Sequence, residues 1–193
     1  ILNVGKPEEI EPFDRKMKKY TSFARFQLRK DLPEAEQQKL RDSLAAYRRV
    51  IVTVTEQRLA PYQSFFAKFA PESPVIYVFY TPAKSMLQIQ RAVSAAEAVV
   101  LAHASRDDVQ ERVADLLFGK ATADGRLSAS IGGLFPTGSG VTITPHTPFH
   151  FVPEEYGMKS EVLRRIDTIA LEGIKEGAYP GCQVLVMKDG KAL

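Results

Sequence analysis

Three histidines, a single cysteine, a scatter of carboxylates and two glycine clusters are what this chain of 193 residues offers for chemistry. Nucleophile sets come first. No G-x-S-x-G elbow and no S-x-x-K pair occurs, and Ser64 and Lys68 stand one residue too far apart for the latter. Cys182 lies in Gly181-Cys-Gln-Val-Leu-Val186 with no charged neighbour, so it reads as a buried strand thiol rather than a nucleophile. One cysteine permits neither an intrachain disulfide nor a zinc site built from cysteines. His146 and His150 are four apart, but Pro145, Pro148 and Phe149 exclude the helix that would aim both at one ion, and His103 stands alone. No metal site is expected. Asp107-Asp108 suits the start of a helix, where carboxylates meet the positive end of the dipole, and Glu154-Glu155 suits an exposed turn.

Phosphate cradles fare no better. Gly132-Gly133 and Gly138-Ser-Gly140 match neither G-x-x-x-x-G-K-[ST] nor G-x-G-x-x-G, and read as structural turns. The first strand-like run ends in Val4-Gly5, but Lys6-Pro-Glu-Glu9 follows where a dinucleotide fold needs more glycine. No cofactor is expected, and no residue is assigned a catalytic role.

What remains is position. Arg49-Val-Ile-Val-Thr-Val-Thr55, Pro74-Val-Ile-Tyr-Val-Phe-Tyr80 and Glu97-Ala-Val-Val-Leu-Ala-His103 are short runs without in/out alternation, the pattern of strands buried on both faces of a parallel sheet. In open α/β sheets ligands bind beyond the carboxyl ends of the strands. That edge carries Glu56, Arg58, Thr81, Lys84, His103 and Arg106. They are the binding candidates, either lining a cleft shared with another domain or forming ordinary polar loop surface.

The elements that would position them follow in chain order. Ile1 to Gly5 reads as a strand. Phe13, Met17 and Tyr20 fall at helical spacing, and Ser22 to Leu28 reads as an edge strand with Phe23 and Leu28 on opposite faces. Asp31-Leu-Pro-Glu34 predicts a helix start capped by Asp31, and Leu40, Leu44 and Tyr47 its core stripe. Leu59, Tyr62, Phe66 and Phe69 form a second apolar face, closed by Pro71 and Pro74. Thr81-Pro82 opens a helix from Ala83 to Val93, and Ser105 caps another that uses Val109, Val113, Leu116 and Leu117 and stops at Gly119. Strand and helix thus alternate five times. Right-handed crossovers then require an α/β fold with a doubly wound, mainly parallel five-stranded sheet, in the flavodoxin-like order 2-1-3-4-5 that puts the polar second strand at an edge.

Beyond Ala121 the texture becomes glycine-rich and helix-poor. Residues 1–140 read as the α/β domain, 141–157 as an extended linker with Pro145, Pro148 and Pro153, and 158–193 as a helix-plus-strand appendage. In that appendage Ser160 is a helix cap, Val162 to Ile174 a long amphipathic helix, and Cys182 to Met187 a strand leading into a Lys188-Asp-Gly-Lys191 turn without a return strand. The chain opens on a strand at Ile1 and stops just after a turn, as an internal piece of a longer protein would. A net charge of +3 without interleaved basic and aromatic residues argues against nucleic acid, and no apolar run reaches the roughly 18 residues of a membrane span.

Two segments carry a resemblance. Leu116-Leu-Phe-Gly-Lys120 followed by Asp124-Gly-Arg-Leu-Ser-Ala-Ser-Ile131 resembles the region closing the C-terminal α/β sandwich domain of family 3 glycoside hydrolases. Pro153-Glu-Glu-Tyr-Gly-Met158 through Pro180-Gly-Cys-Gln-Val-Leu-Val-Met-Lys-Asp-Gly190 is similar to the start of a serine β-lactamase-like domain. In tandem they resemble bacterial chains that fuse a β-N-acetylglucosaminidase-type hydrolase to such a module. Ser128 stands where the family has proline, which leaves the local turn open. The resemblance implies a non-catalytic accessory domain. Its partners would be a preceding catalytic (β/α)8 barrel and the β-lactamase-like module of one parent chain, with a carbohydrate as the parent's substrate. The nucleophile and acid–base residues would lie on the barrel and the active serine beyond Leu193. The fold by itself allows an independent flavodoxin-like module for a small ligand or a partner.

Overall fold

A computed structural model of the chain describes residues 1–69, 73–145, 153–184, 186–188 and 191–192. Two compact units divide at Thr144 and Pro145. The first is built on five strands: β1 (Leu2–Val4), β2 (Phe26–Leu28), β3 (Val50–Val54), β4 (Val75–Phe79) and β5 (Ala98–Leu101). Their order is β2-β1-β3-β4-β5 and every pairing is parallel. This is the doubly wound sheet that the alternation requires. Each parallel crossover must pass over one face, so helices cover both.

Five helices of this unit alternate with the strands: α1 (Glu11–Met17), α2 (Glu34–Ala45), α3 (Gln63–Lys68), α4 (Gln90–Ser94) and α5 (Asp107–Leu117). Tighter 3-10 turns at Pro7–Ile10, Ala60–Tyr62 and Ala83–Ile89 lead into α1, α3 and α4. One face packs Val78, Tyr80, Ile51 and Val100 under Phe13 and Met17 of α1 and Val113 and Ala114 of α5. The other packs Leu2, Val52, Val54, Tyr77 and Phe79 under Leu44 of α2, Phe65 and Phe66 of α3 and Val93 of α4. Phe23 joins the first cluster and Leu28 the second, as expected of a segment running along the sheet edge.

A polar ladder crosses the inside of this hydrophobic sandwich. Asn3 and Thr53, both fully buried, lie opposite one another in register, with Gln27 on the far side of Asn3. Thr53 Oγ1 donates to Asn3 Oδ1 at 3.0 Å, Asn3 Nδ2 donates to Gln27 Oε1 at 3.0 Å, and Gln27 Nε2 donates to the Gly5 carbonyl at 2.7 Å. Satisfying each other removes the desolvation cost that any one of them would carry alone. Gln110 does the same between helices. Its amide nitrogen donates to the Glu9 and Ser105 carbonyls and its oxygen accepts from Phe13 N, at 2.8, 2.7 and 3.3 Å.

Several local expectations are corrected. β5 is not buried on both faces. It is the second edge of the sheet, its residues half-buried or, at Ala98, exposed. Neither Asp31 nor Ser105 caps a helix. The caps are Pro33 and Arg106, without side-chain bonds, and acid in the first turn (Glu34 and Glu36, Asp107 and Asp108) serves the helix dipole instead. Tyr47 lies just past the end of α2, 40% exposed, with its ring edge-on to Phe26.

After α5, Gly119 (φ 67°) ends the helix and residues 121–144 form an arm that doubles back on itself. Ala123 pairs antiparallel with Ile143, Leu127 N bonds to the Ser139 carbonyl, and Ile131 pairs with Phe135 across a tight turn. Gly132 takes φ 51° in that turn. At Gly140 a Cβ would stand 2.2 Å from the Gly125 carbonyl, so only glycine lets the two limbs approach so closely. Ile131 is buried, and Leu127, Leu134 and Phe135 pack beside it on the α2–α4 side of the core. Val141 to Thr144 therefore belong to the first unit.

In the second unit, α6 (Ser160–Lys175) follows a 3-10 turn at Pro153–Tyr156. Ser160 is not the cap but the first helical residue. The N-cap is Lys159, without a side-chain bond, and Glu154, six residues before the helix, accepts Ser160 N and Ser160 Oγ on its two carboxylate oxygens, each at 2.8 Å. Those bonds hold the Glu154 carboxyl below its ordinary value. Gly177 (φ 73°) ends the segment, and the Tyr179 hydroxyl returns to the Ala170 carbonyl. Residues 181–184 form no strand and Cys182 is exposed, against the expectation of a buried strand thiol. The strand is two residues long, β6 (Met187–Lys188), and it does have a return partner, β7 (Lys191–Ala192). His146, His150, Pro71 and the Asp189-Gly190 turn lie outside the described residues.

Candidate functional site

The carboxyl edge of the sheet divides into two regions. Between β1 and β3, where the strand order reverses and doubly wound sheets usually take ligands, stand Glu56 and Arg58. Lys30 closes on Glu56 at 3.0 Å, and Arg58 N donates to its other carboxylate oxygen at 3.2 Å. The hydrogen bond from Lys30 is the main cause holding the Glu56 carboxyl below its usual value. Glu56 is thus a paired, ionised surface carboxylate, and Arg58 projects into solvent beside it.

Beyond β4 and β5 the chain makes a cavity of about 240 Å³. Lys84 enters it from the 3-10 turn after β4, and His103 from the end of β5. The arm supplies the third wall, residues 126–132, with Arg126 at its rim. His103 sits at φ 62°, and among the described residues it is the one non-glycine residue in the left-handed region. For a residue with a Cβ that backbone costs about 1 kcal/mol or more, and here it turns the chain from β5 toward α5.

Of the six binding candidates, the structure therefore brings Lys84 and His103 together. It leaves Glu56 and Arg58 in the other region. Thr81 is buried at 1% exposure and is not among the cavity's lining residues, and its hydroxyl has no hydrogen-bond partner among the described residues. Arg106 forms a two-pronged ion pair with Asp108, Nε to Oδ1 at 3.0 Å and Nη2 to Oδ2 at 2.6 Å. That pair raises the arginine and lowers the carboxyl, but both groups are fully exposed, so its consequence is local.

Arg126 is the residue that sequence reasoning missed. Its guanidinium is held by the Asp124 and Gly125 carbonyls, each at 3.2 Å from Nη1, and by Thr142 Oγ1 at 2.8 Å from Nη2. The signal was present in Asp124-Gly-Arg126, a charged residue beside a glycine turn. Nothing in the sequence states that this turn folds back onto a strand end more than twenty residues away.

The lining offers three basic side chains and two serines. Ser128 and Ser130 line the cavity, but Ser130 Oγ is bonded to Thr137 N at 2.9 Å and shares a hydrogen bond with Thr137 Oγ1 at 3.1 Å. Ser64 and Lys68 lie on α3, where Lys68 pairs with Glu34 at 2.9 Å. Among the described residues no group of three His, Cys, Asp or Glu converges, and no helix is long and apolar enough to cross a membrane. The chain matches no family model, no curated protein and no solved structure.

Proposed function

We propose that this chain is a non-catalytic accessory domain of a modular family 3 glycoside hydrolase whose parent acts on β-N-acetylglucosaminides. On this reading the first unit packs beside a catalytic (β/α)8 barrel and shapes one side of its cleft, and the second opens a serine β-lactamase-like module. The observation that carries it is the arm. The segment bearing the resemblance, Asp124 to Ile131, lies over the carboxyl edge of a 2-1-3-4-5 sheet and walls an open cavity there. That is where a second domain carrying a sugar site would meet this one.

The reading frame around this segment tests the proposal directly: a barrel is expected upstream and an S-x-x-K motif shortly downstream. A second test incubates the chain with an aryl β-N-acetylglucosaminide. No turnover is expected. Turnover abolished by substitution of Lys84 or His103 would overturn the accessory role. A self-standing small-ligand module is the second reading, favoured by the cavity alone. It predicts a barrel-free reading frame and a ligand that raises the melting temperature through Lys84 and His103.

A further inference from the structure

The cavity beyond β4 and β5 has an unbalanced charge. Lys84 and Arg126 bring permanent positive charges, His103 adds a ring that can donate, and none of the lining residues is a carboxylate. Some basic groups elsewhere on the unit are paired with carboxylates (Lys30 with Glu56, Arg41 and Lys68 with Glu34, Arg25 with Asp14, Arg106 with Asp108), whereas others such as Lys39 and Arg58 stand singly on the exposed surface. Among the described residues, none of the cavity's three basic side chains has an ion-pair partner within 4.0 Å. Three groups from three separate parts of the chain line one cavity. The Arg126 fork is fixed by its bonds to Asp124, Gly125 and Thr142, and a fixed fork loses little freedom on binding. His103 stands at a backbone angle that glycine would adopt without strain.

We infer that this cavity binds a small oxyanion, a carboxylate or phosphate carried on a molecule no larger than a monosaccharide. The size follows from a volume of about 240 Å³, below the range of drug-sized pockets. The rest of the lining sets apolar Ala83, Leu87, Leu127, Ala129 and Ile131 beside the hydroxyl-bearing Ser128 and Ser130, a mixture that suits the carbon and hydroxyl groups of a sugar ring rather than a second charge. The inference stands on the cavity, independently of the glycosidase reading. It survives if the reading frame holds no barrel.

The test is a titration of the isotope-labelled chain with D-glucuronate, glucose 6-phosphate and inorganic phosphate, with neutral D-glucose as control. Shifts confined to Lys84, His103 and residues 126–132 are expected, with dissociation constants of the order of 1 mM. Affinity should fall as salt rises from about 0.05 to about 0.5 M. Preference between glucuronate and glucose 6-phosphate identifies the anion. Lys84→Ala should weaken binding about tenfold, and Lys39→Ala, on the exposed face of α2, should leave it unchanged. His103→Gly separates binding from folding, because it relieves the backbone while removing the ring. Weaker binding with an undiminished melting temperature is expected. Equal binding of neutral glucose, no localised shift at about 50 mM of any of the three anions, or full affinity in Lys84→Ala would each overturn the inference.

Discussion

Arg126 Nη2 donates to Thr142 Oγ1 across 2.8 Å, joining residues sixteen apart in sequence and fixing the two limbs of the arm to each other. The limbs are otherwise held by a few backbone bonds, by Ser130 Oγ on Thr137 and by Ile131 buried at the tip. Arg112, on α5, adds a second tether at the base, reaching the Thr122 carbonyl and hydroxyl at 3.2 Å each. The wall of the cavity is therefore as rigid as these contacts make it.

Thr142→Val keeps the shape of the side chain and removes the acceptor. Because the site is exposed, the loss should be about 0.5–1 kcal/mol, felt by the arm rather than by the sheet. Amide exchange at Leu127 and Gly138, whose bonds close the arm, should quicken while exchange in β3 and β4 stays as it was. Equal acceleration in the strands would show that the arm does not open separately.

Two glycines in the arm should respond oppositely to the same change. A Cβ at Gly140 meets the Gly125 carbonyl at 2.2 Å, a contact with backbone that cannot swing aside, whereas a Cβ at Gly125 meets nothing within 4 Å. Gly140→Ala should cost about 1–3 kcal/mol by forcing the limbs apart, and Gly125→Ala should be neutral within about 0.5 kcal/mol. Urea unfolding of both variants checks the contrast. Equal costs would refute the close approach.

The Tyr20 hydroxyl donates a short hydrogen bond to Asp115, which Lys16 also meets at 3.0 Å, so this carboxylate ties the end of α1 to α5. Burial alone would raise the Asp115 carboxyl, but the Tyr20 and Lys16 hydrogen bonds overcome it and hold the group below its ordinary value. A depressed carboxyl contributes stability that is present at neutral pH and lost as pH falls through its folded value. Tyr20 runs the other way, pushed up to about 12 by burial and by its bond to Asp115, so its share persists until strongly alkaline pH. Tyr20→Phe should cost about 1–2 kcal/mol at pH 7, and the difference should shrink below about pH 4. Denaturation followed by circular dichroism at pH 7 and at pH 3 measures it. An unchanged difference would mean that the hydroxyl contributes in the same measure whether or not Asp115 is charged.

Within the sheet, Thr53→Val should cost about 1–3 kcal/mol because the buried Asn3 Oδ1 loses its donor. Asn3→Val in that background should then cost less than in the wild type, a coupling of about 1 kcal/mol. Additive losses in this double-mutant cycle would mean that the ladder is not a unit.

Much of the fold was written in runs of residue types. Val50–Val54 and Val75–Phe79 hold no polar alternation, so only a covered parallel sheet accommodates them, and the polar Arg25 and Gln27 mark β2 for an edge. The helices were legible from apolar spacing, their caps much less so. Asp31 and Ser105 have the right chemistry for a cap, but cap geometry depends on where the preceding strand delivers the chain. The same limit applies to β5, whose residues resemble those of β4. Being last in the order 2-1-3-4-5 leaves one of its sides unpaired, a property of neighbours and not of composition.

For the candidate site the division is sharper. Sequence alone placed Lys84 and His103 at strand ends, because a parallel sheet must deliver those loops to one edge. It could not separate them from Glu56, Arg58, Thr81 and Arg106, which have the same address. Tertiary structure did so, by giving Glu56 and Arg106 partners of opposite charge, burying Thr81, leaving Arg58 exposed beside Glu56, and bringing the arm with Arg126 to the cavity that Lys84 and His103 line. Hydrophobic periodicity is set by near neighbours along the chain and survives in any reading of it. The meeting of Lys84, His103 and Arg126 depends on packing between segments remote in sequence, and only the folded chain holds that information.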